Sequence, residues 1–308
     1  MNPLLFHICN IPIWLITLLP LRVLYVFSDF FYILIYYVAG YRKRVVFTNL
    51  KNSFPEKSQK EIKKIARTYY RHLCDYFIES LYTINISEKE IKKRYTYKNP
   101  EVLSSILSQN KGVIVACGHY GNWEWFISIS LYIKNPLLGI YHPIKNQYFN
   151  EFYKRIRGKF GGISVPMSIS VKEMIKYSRN KIGTITLFLI DQRPIWSSIR
   201  YWTTFLNQET PVLQGSELIA KKLDQAVVFM DIQKVKRGYY EIEFELISNN
   251  PRETKENEIT EANTRKLEDI IRKNPDYWLW SHKRWKHKRT EIEKRQKHWY
   301  DKGSHSHS

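Results

Sequence analysis

The residues best suited to chemistry lie in one short stretch, Gly118-His119-Tyr120-Gly121-Asn122-Trp123-Glu124. An apolar run from Gly112 predicts a buried strand that ends at His119, and open α/β sheets bind ligands at the carboxyl ends of their strands. Glu124 would lie in the first turn of a following helix, which Asn122 could cap. A carboxylate in contact with the imidazole would fix its tautomer and stabilise the imidazolium. The pattern indicates a general base, His119 paired with Glu124, that deprotonates a substrate hydroxyl for attack on a thioester.

Spacing alone leaves two other interpretations of this stretch open. One is a metal site, although such a site favours His-Glu-x-x-His or a Cys/His cluster, and the sequence has neither. The three cysteines, Cys9, Cys74 and Cys117, lack ligand spacing and predict reduced thiols, as in a protein that faces the cytoplasm. The other is a histidine that only satisfies hydrogen bonds in the core. We expect neither a metal nor an organic cofactor.

Charge and N-terminal composition narrow the class of partner. The 308 residues carry a formal net charge of +20, which favours anionic partners such as nucleic acid, lipid headgroups or phosphorylated substrates. The chain is nearly all apolar from Leu4 to Gly40, and a basic cluster follows. This segment is long enough for one membrane span or for two interfacial helices, and a span would leave the basic flank in the cytoplasm. A buried hairpin of a soluble domain is the third possibility.

Beyond the apolar segment, the hydrophobic periodicity alternates between strand and helix patterns. Capping boxes at Ser58 and Ser87 and a proline at 100 predict three helices. Strand patterns lie at 112–119, 137–141, 183–190, 226–233 and 239–247, and helical patterns at 146–159, 170–179, 214–223 and 259–273. This alternation predicts an α/β fold with a central, mostly parallel sheet flanked by helices. We expect a hydrophobic helical membrane anchor at 1–45, the α/β domain at 46–290 and a basic, disordered tail at 291–308.

Further blocks accompany the 118–124 stretch in order along the chain. They are Ser28-Asp29, Tyr41-Arg42-Lys43-Arg44-Val45-Val46, Asn49-Leu50, Ser53-Phe54-Pro55, Tyr70-Arg71-His72 with Asp75, Tyr141-His142-Pro143-Ile144-Lys145-Asn146, Arg157 with Phe160-Gly161-Gly162, Asp191-Gln192, and the ending at 275–286. Together they resemble the lysophospholipid acyltransferase superfamily, and within it the late lipid A biosynthesis acyltransferases of Gram-negative bacteria. The 118–124 stretch is similar to the His-x4-Asp/Glu motif of that superfamily. The resemblance covers roughly residues 4–288.

The resemblance implies an acyltransferase of the bacterial inner membrane with its catalytic domain on the cytoplasmic side. It would move a fatty acyl chain from an acyl-carrier-protein thioester to a hydroxyl of a lipid A precursor, with His119 and Glu124 as the catalytic pair. The acidic carrier protein would meet this basic chain, which would also contact a membrane lipid acceptor and an anionic membrane surface. Transfer to a lysophospholipid or an amino-acid-containing lipid stays open. Nucleic-acid binding is disfavoured, because no nucleic-acid motif accompanies the charge.

Five more residues are candidates for substrate binding. Arg157 would bind an acidic group of the donor or acceptor through its guanidinium fork. Asp191, at the end of a predicted strand, would orient Arg157 or another basic group, or cap a loop. Lys145 and Arg193 would contact phosphates, although basic surface residues are common in this chain. Asn122 would act either as a helix cap or as a donor near the site.

One block departs from the pattern. Asn207 stands where the related enzymes usually have glycine, in the segment 205–211. Because this loop helps to shape the pocket in the related enzymes, the departure bears on acceptor and chain length rather than on the reaction.

Overall fold

A computed structural model describes residues 14–143 and 146–304. Seven strands form a central sheet in the order β1-β9-β8-β2-β5-β3-β4, and an antiparallel pair, β6 and β7, lies apart from it. All neighbours in the large sheet are parallel except β8 and β9. The strands are β1 Tyr95–Tyr97, β2 Val113–Cys117, β3 Leu137–Tyr141, β4 Ile163–Pro166, β5 Ile185–Leu189, β6 Trp202–Phe205, β7 Gln208–Pro211, β8 Ala226–Lys236 and β9 Tyr239–Ser248. The predicted α/β architecture with a mostly parallel sheet is confirmed.

Helices flank this sheet. They are α1 Leu21–Ile33, α2 Lys43–Ser53, α3 Gln59–Tyr82, α4 Glu88–Arg94, α5 Glu101–Leu107, α6 Gln147–Gly158, α7 Met167–Arg179, α8 Gly215–Leu223, α9 Glu258–Lys273 and α10 Arg289–Ser304. A π-helical turn, Leu34–Val38, extends α1, and a 3-10 helix, Trp123–Leu131, follows β2. The capping box at Ser58 forms as predicted: its hydroxyl accepts from the backbone of Glu61, whose carboxylate accepts from the Ser58 amide.

The apolar segment near the N-terminus packs one face of α1 on α3. On that face the Tyr25 hydroxyl donates to Glu79, and the Ser28 hydroxyl donates to Asp75. The opposite face exposes large apolar side chains, among them Val26 and Phe30. In the described part of the chain, Leu21–Val38 is the one helix long and apolar enough to cross a membrane, judged by length and composition alone. The structure thus supplies a candidate anchor that is attached to the α/β domain along one side.

The C-terminal segment differs from the predicted disordered tail. Residues 289–304 form α10, and residues 305–308 lie outside the described ranges. Ile292 is buried, and the Gln296 amide donates to the backbone carbonyls of Trp196 and Ile199. The buried Ile292 side chain and these long-range hydrogen bonds hold the helix against the rest of the chain.

Candidate active site

Two neighbouring parallel strands bring His119 and Asp191 together. In the β2–β5 register Cys117 lies opposite Leu189, so the residues two positions after each strand stand side by side. The Nδ1 atom of His119 lies 2.6 Å from Oδ1 of Asp191. The backbone N–H of His119 donates to Oδ2 of the same carboxylate at 2.8 Å. The indole N–H of Trp278 donates to Oδ2 at 2.7 Å, so the carboxylate is held from three directions.

These contacts define the state of the imidazole. Burial by itself would raise the pKa of Asp191, but the charge and hydrogen bonds of His119 and Trp278 lower it to about 2. An ionised Asp191 accepts a hydrogen bond from Nδ1, and in the neutral imidazole a hydrogen on Nδ1 leaves the lone pair on Nε2. The side-chain amide of Gln192 lies 3.0 Å from that nitrogen. His119 is therefore arranged to accept a proton at Nε2, and Asp191 is placed to stabilise the imidazolium that results.

This arrangement corrects the predicted pairing of the carboxylates. Glu124 forms an ion pair with Arg157 through two contacts, of 3.1 and 3.4 Å, and within the described part of the chain it has no hydrogen bond to His119. Asp191, expected to orient Arg157 or another basic group, contacts the imidazole of His119. The physical reason is the register between β2 and β5, which places Asp191 beside Nδ1. Trp123 packs edge-on against the imidazole, with 4.8 Å between ring centroids.

Two glycines of the motif permit this geometry. A Cβ at Gly118 would lie 2.6 Å from a Leu267 methyl group and 3.3 Å from Oδ2 of Asp191, so a side chain there would push the carboxylate away from His119. Gly121 has a φ of +59°, a conformation that side chains disfavour. A Cβ at Gly121 would also meet Ile232 at 2.7 Å. Both positions need glycine for reasons of space, and Gly121 needs it for its backbone conformation as well.

The other predicted substrate contacts fall in different places. Asn122 is fully buried: its oxygen accepts from the Trp125 backbone, and its amide donates to Glu79. Asn122 is therefore a helix cap, which was one of its two predicted roles. It lies in the interior of the protein rather than against the cavity. Arg193 lines the cavity, and its Nη1 has no hydrogen-bond partner among the described residues. Lys145 lies outside the described residues.

His119 opens on a cavity of about 450 Å³, here termed the catalytic cavity. Its polar lining groups are His119, Glu124, Tyr141, His142, Arg157, Gln192, Arg193 and Ser198. Most of the remaining lining is apolar and includes Phe126, Ile127, Leu137, Gly139, Ile140, Ile163, Met167, Leu187 and Leu189. The volume is typical of sites that enclose a small ligand or part of a larger one. An apolar chain with a polar end fits this lining, with the polar end beside the imidazole.

Sequence reasoning assigned no role to three residues near the imidazole. Gln192 directly follows Asp191 at the end of β5, so its position next to a strand end was a usable signal. Trp278 gave no such signal, because it reaches Asp191 from 87 positions away. His282 accepts a hydrogen bond from the Arg193 backbone through Nε2, and burial lowers its pKa to about 4.

The segment 205–211, in which Asn207 stands where glycine was expected, belongs to the β6–β7 hairpin. Leu206 and Asn207 make its two-residue turn with φ of +50° and +62°. Asparagine adopts this left-handed conformation more readily than most residues, so it can replace glycine there. The Asn207 amide donates to the Ser53 carbonyl, and Asn207 does not line the catalytic cavity. The departure therefore falls in a turn that is compatible with asparagine.

The comparisons agree with this geometry. Residues 3–287 match the family described as Bacterial lipid A biosynthesis acyltransferase. A search of the curated proteins finds no match. The match spans well over half of the 308 residues. The chain belongs to the bacterial lipid A biosynthesis acyltransferase family and is an acyltransferase that acts on a lipid acceptor.

Proposed function

We propose that the protein transfers a fatty acyl chain from an acyl-carrier-protein thioester to a hydroxyl of a lipid A precursor, with His119 as the general base. The observation that carries this proposal is the orientation of one imidazole. Asp191 holds the Nδ1 side at 2.6 Å, and Nε2 is left to face the catalytic cavity. A hydroxyl at Nε2 would lose its proton as it attacks a carbonyl carbon.

The reaction follows from these positions. The acceptor hydroxyl replaces the Gln192 amide at Nε2, transfers its proton to His119, and its oxygen bonds to the thioester carbon. Asp191 stabilises the imidazolium, since the two charges lie in a buried site. When the tetrahedral intermediate collapses, the carbon–sulfur bond breaks and the thiolate takes the proton from His119. The products are an ester and a free thiol, and His119 returns to its starting state.

Apolar and basic side chains of the catalytic cavity would contact different parts of the substrate. The apolar wall of the catalytic cavity would enclose the fatty acyl chain. Arg193 would bind an anionic group, because its Nη1 is buried without a partner in the described residues. The charge of Arg157 is largely matched by Glu124 at 3.1 Å, so we assign this ion pair to holding α6 against the cavity and to shaping the site. An anionic substrate group could still bind the outer side of the Arg157 guanidinium.

The donor and the cellular location are part of the same proposal. A formal net charge of +20 favours the acidic surface of an acyl carrier protein. The exposed apolar face of α1 would enter the inner membrane from the cytoplasmic side, where soluble carrier protein is present. The same charge would attract anionic headgroups. The hydroxyl acceptor and the membrane surface would then lie on the same side of the protein.

Mass spectrometry of lipid A and total lipids from the native host tests this proposal. Four strains are compared: wild type, a deletion, and the deletion complemented with His119→Ala or with His287→Ala at matched protein levels. His287 lies outside the catalytic cavity, so His287→Ala is the matched control. We expect the deletion and His119→Ala to lose one acyl chain from lipid A, and the control to retain it.

The other outcomes separate the parts of the proposal. If lipid A is intact but another lipid loses a chain, the acceptor assignment is wrong while the chemistry stands. If His119→Ala keeps every lipid at the wild-type level while the deletion does not, His119 is not the base. Purified enzyme with carrier-protein or coenzyme A thioesters as alternative donors then decides the donor.

A further inference from the structure

A second cavity, of about 610 Å³, lies between α1, α3 and the β8–β9 hairpin. It is here termed the anchor-side cavity. Its charged and polar lining includes Asp29, Arg71, His72, Asp75, Lys234 and Arg237. Among the described residues it shares none of its lining with the catalytic cavity. The acyl transfer proposed at His119 therefore does not use this cavity.

The carboxylates of the anchor-side cavity are already paired. Arg237 binds Asp29 at 2.7 Å and Asp75 at 2.6 Å. Lys234, whose side chain is 8% exposed, lies 3.5 Å from Asp75 and 3.3 Å from Nδ1 of His72. With the lone pair of Nδ1 facing the ammonium group, His72 is uncharged. Two carboxylates thus face two cations before Arg71 is counted.

Arg71 is the unmatched cation. It is exposed on α3, and within the described part of the chain it forms no salt bridge. Its guanidinium carbon lies 5.0 Å from the centre of the Tyr32 ring, a contact that positions the group while leaving its N–H donors available. Guanidinium binds phosphate oxygens through two parallel hydrogen bonds. The cavity therefore has a net positive charge and a donor group suited to a phosphate.

The edge of the cavity is apolar. Ile33 and Tyr37 line it and are 54% and 56% exposed. Both belong to Leu21–Val38, whose outer face is also apolar. A ligand that fills this space would place its anionic group near Arg71 and an apolar part along α1. A phospholipid has both parts, whereas free phosphate would leave the apolar edge uncovered.

We propose that the anchor-side cavity binds the phosphate of an anionic phospholipid, with Arg71 as its main contact. Lys234 and Arg237 neutralise the two carboxylates of the cavity, and the lipid chains follow the exposed face of α1. Such a site would hold the enzyme at a fixed depth and orientation on the membrane, because the bound phosphate marks the headgroup level. It is separate from the acceptor site beside His119.

Binding to the purified full-length protein in a neutral detergent tests this site. The probes are short-chain phosphatidylglycerol, phosphatidylcholine with the same chains, and inorganic phosphate. Ligand-dependent stabilisation against heat reports the apparent Kd of each probe. The variants are Arg71→Gln, Arg71→Lys and the matched control Arg67→Gln, which removes the same charge from an exposed position of α3 outside the cavity.

We expect phosphatidylglycerol to stabilise wild type and Arg67→Gln equally. Arg71→Gln should bind it roughly tenfold more weakly or worse, since a hydrogen bond to a charged group is lost. Arg71→Lys should bind with intermediate strength, because it keeps the charge without the fork. Phosphatidylcholine and inorganic phosphate should bind at least tenfold more weakly than phosphatidylglycerol.

Three results would overturn the proposal. Equal lipid binding by Arg71→Gln and Arg67→Gln would show that general charge, not this site, attracts the lipid. Inorganic phosphate that binds as tightly as phosphatidylglycerol would exclude a lipid site. Equal binding of phosphatidylcholine would exclude selection of an anionic headgroup. Since Arg71 is exposed and has no ion-pair partner in the described residues, its variants should unfold at the wild-type temperature without lipid.

Discussion

The catalytic and anchor-side cavities use the same residue types for different purposes. Each has a histidine close to an aspartate and to a cationic side chain. In the catalytic cavity Asp191 contacts His119 directly, so its carboxylate can stabilise a transient imidazolium. In the anchor-side cavity the nearest charged group to Nδ1 of His72 is the Lys234 ammonium, and Asp75 is occupied by Lys234 and Arg237. Both residues are histidines, so the charged group that each imidazole contacts determines whether it can act as a base.

The largest expected effect comes from replacing the two histidines in parallel. His119→Gln should lower kcat by roughly 10³-fold or more, because general base catalysis supplies about 10²–10⁴ in rate. His72→Gln should change kcat by less than tenfold and should mainly lower the melting temperature, since a buried side chain is replaced. Single-turnover acyl transfer and thermal unfolding of both variants provide the measurements.

The reverse pattern would break the comparison. If His72→Gln lost as much kcat as His119→Gln while remaining folded, the electrostatic distinction between the cavities would be wrong. A His119→Gln variant with a lowered melting temperature but wild-type kcat would show that His119 is structural. Wild type that has been heated and cooled in the same way serves as the reference for both.

The next effect separates the two carboxylates near His119. Asp191→Asn should lower kcat by roughly 10²-fold or more, because the imidazole loses both its orientation and its counter-charge. The pH profile of kcat should change in this variant, since the carboxylate whose charge is coupled to the imidazole is removed. Glu124→Gln breaks the ion pair with Arg157 and should act mainly on KM, with about a tenfold loss in kcat/KM. The pH dependence of kcat and KM for both variants distinguishes them.

Asp191→Glu sharpens this test, because it keeps the charge and changes only its position. Partial recovery of the pH profile in Asp191→Glu would support an electrostatic role for the carboxylate. If Glu124→Gln shifted the pH profile and Asp191→Asn did not, Glu124 would be the partner of the base in the reacting enzyme, as the motif alone had predicted.

The sequence was sufficient to predict the strands that carry the site, but it was insufficient to predict which side chains contact each other there. The unbroken apolar runs at β2 and β5 made both strands predictable, and His119 followed from its place at a strand end. The pairing of His119 with Asp191 depends on strand register between residues 72 positions apart, which local patterns do not encode. The same limit applies to Trp278, which approaches Asp191 from the far end of the chain.

Short elements escaped prediction for a related reason. Strands β1 and β4 have three and four residues, too few for a period to be visible. The β6–β7 hairpin turns on Leu206 and Asn207, and leucine is rare in a left-handed turn, so the usual signal was missing. By contrast, the helices capped by Ser58 and Ser87 carry explicit capping signals, and their starts were predicted within one residue.

A change in the apolar wall of the catalytic cavity should alter the preference for acyl-chain length and leave lipid binding at the anchor-side cavity unchanged. Gly139 in β3 lines the catalytic cavity, and a Cβ there would meet only the Ile163 carbonyl at 3.9 Å. Gly139→Val should therefore fold and take up space from the acyl chain. The ratio of kcat/KM for shorter over longer acyl donors should rise about 10-fold, as one or two methylenes lose their contacts.

Gly158→Val is the matched control, because a Cβ at Gly158 meets nothing within 4 Å and the position lies outside the cavity lining. Competition between donors of different length, with product ratios from mass spectrometry, provides the measurement. An unchanged ratio in Gly139→Val would mean that the acyl chain lies elsewhere. Phosphatidylglycerol binding should be the same in both glycine variants and wild type.

The smallest effect concerns two histidines that burial keeps neutral, His72 in the anchor-side cavity and His282 on the Arg193 backbone. Burial lowers the pKa of His72 far below its usual value, and lowers that of His282 to about 4. Between pH 6.5 and pH 4 the unfolded chain takes up a proton at position 282 that the folded chain does not, so stability falls as the pH drops through this window. Since His282 is partly exposed, we expect it to account for about 1 kcal/mol, or roughly 2–4 °C in Tm. His282→Gln should match the wild-type Tm at pH 7.5 and lose less of it at pH 5. Parallel slopes for the two proteins would show that His282 takes up its proton equally in the folded and unfolded chain.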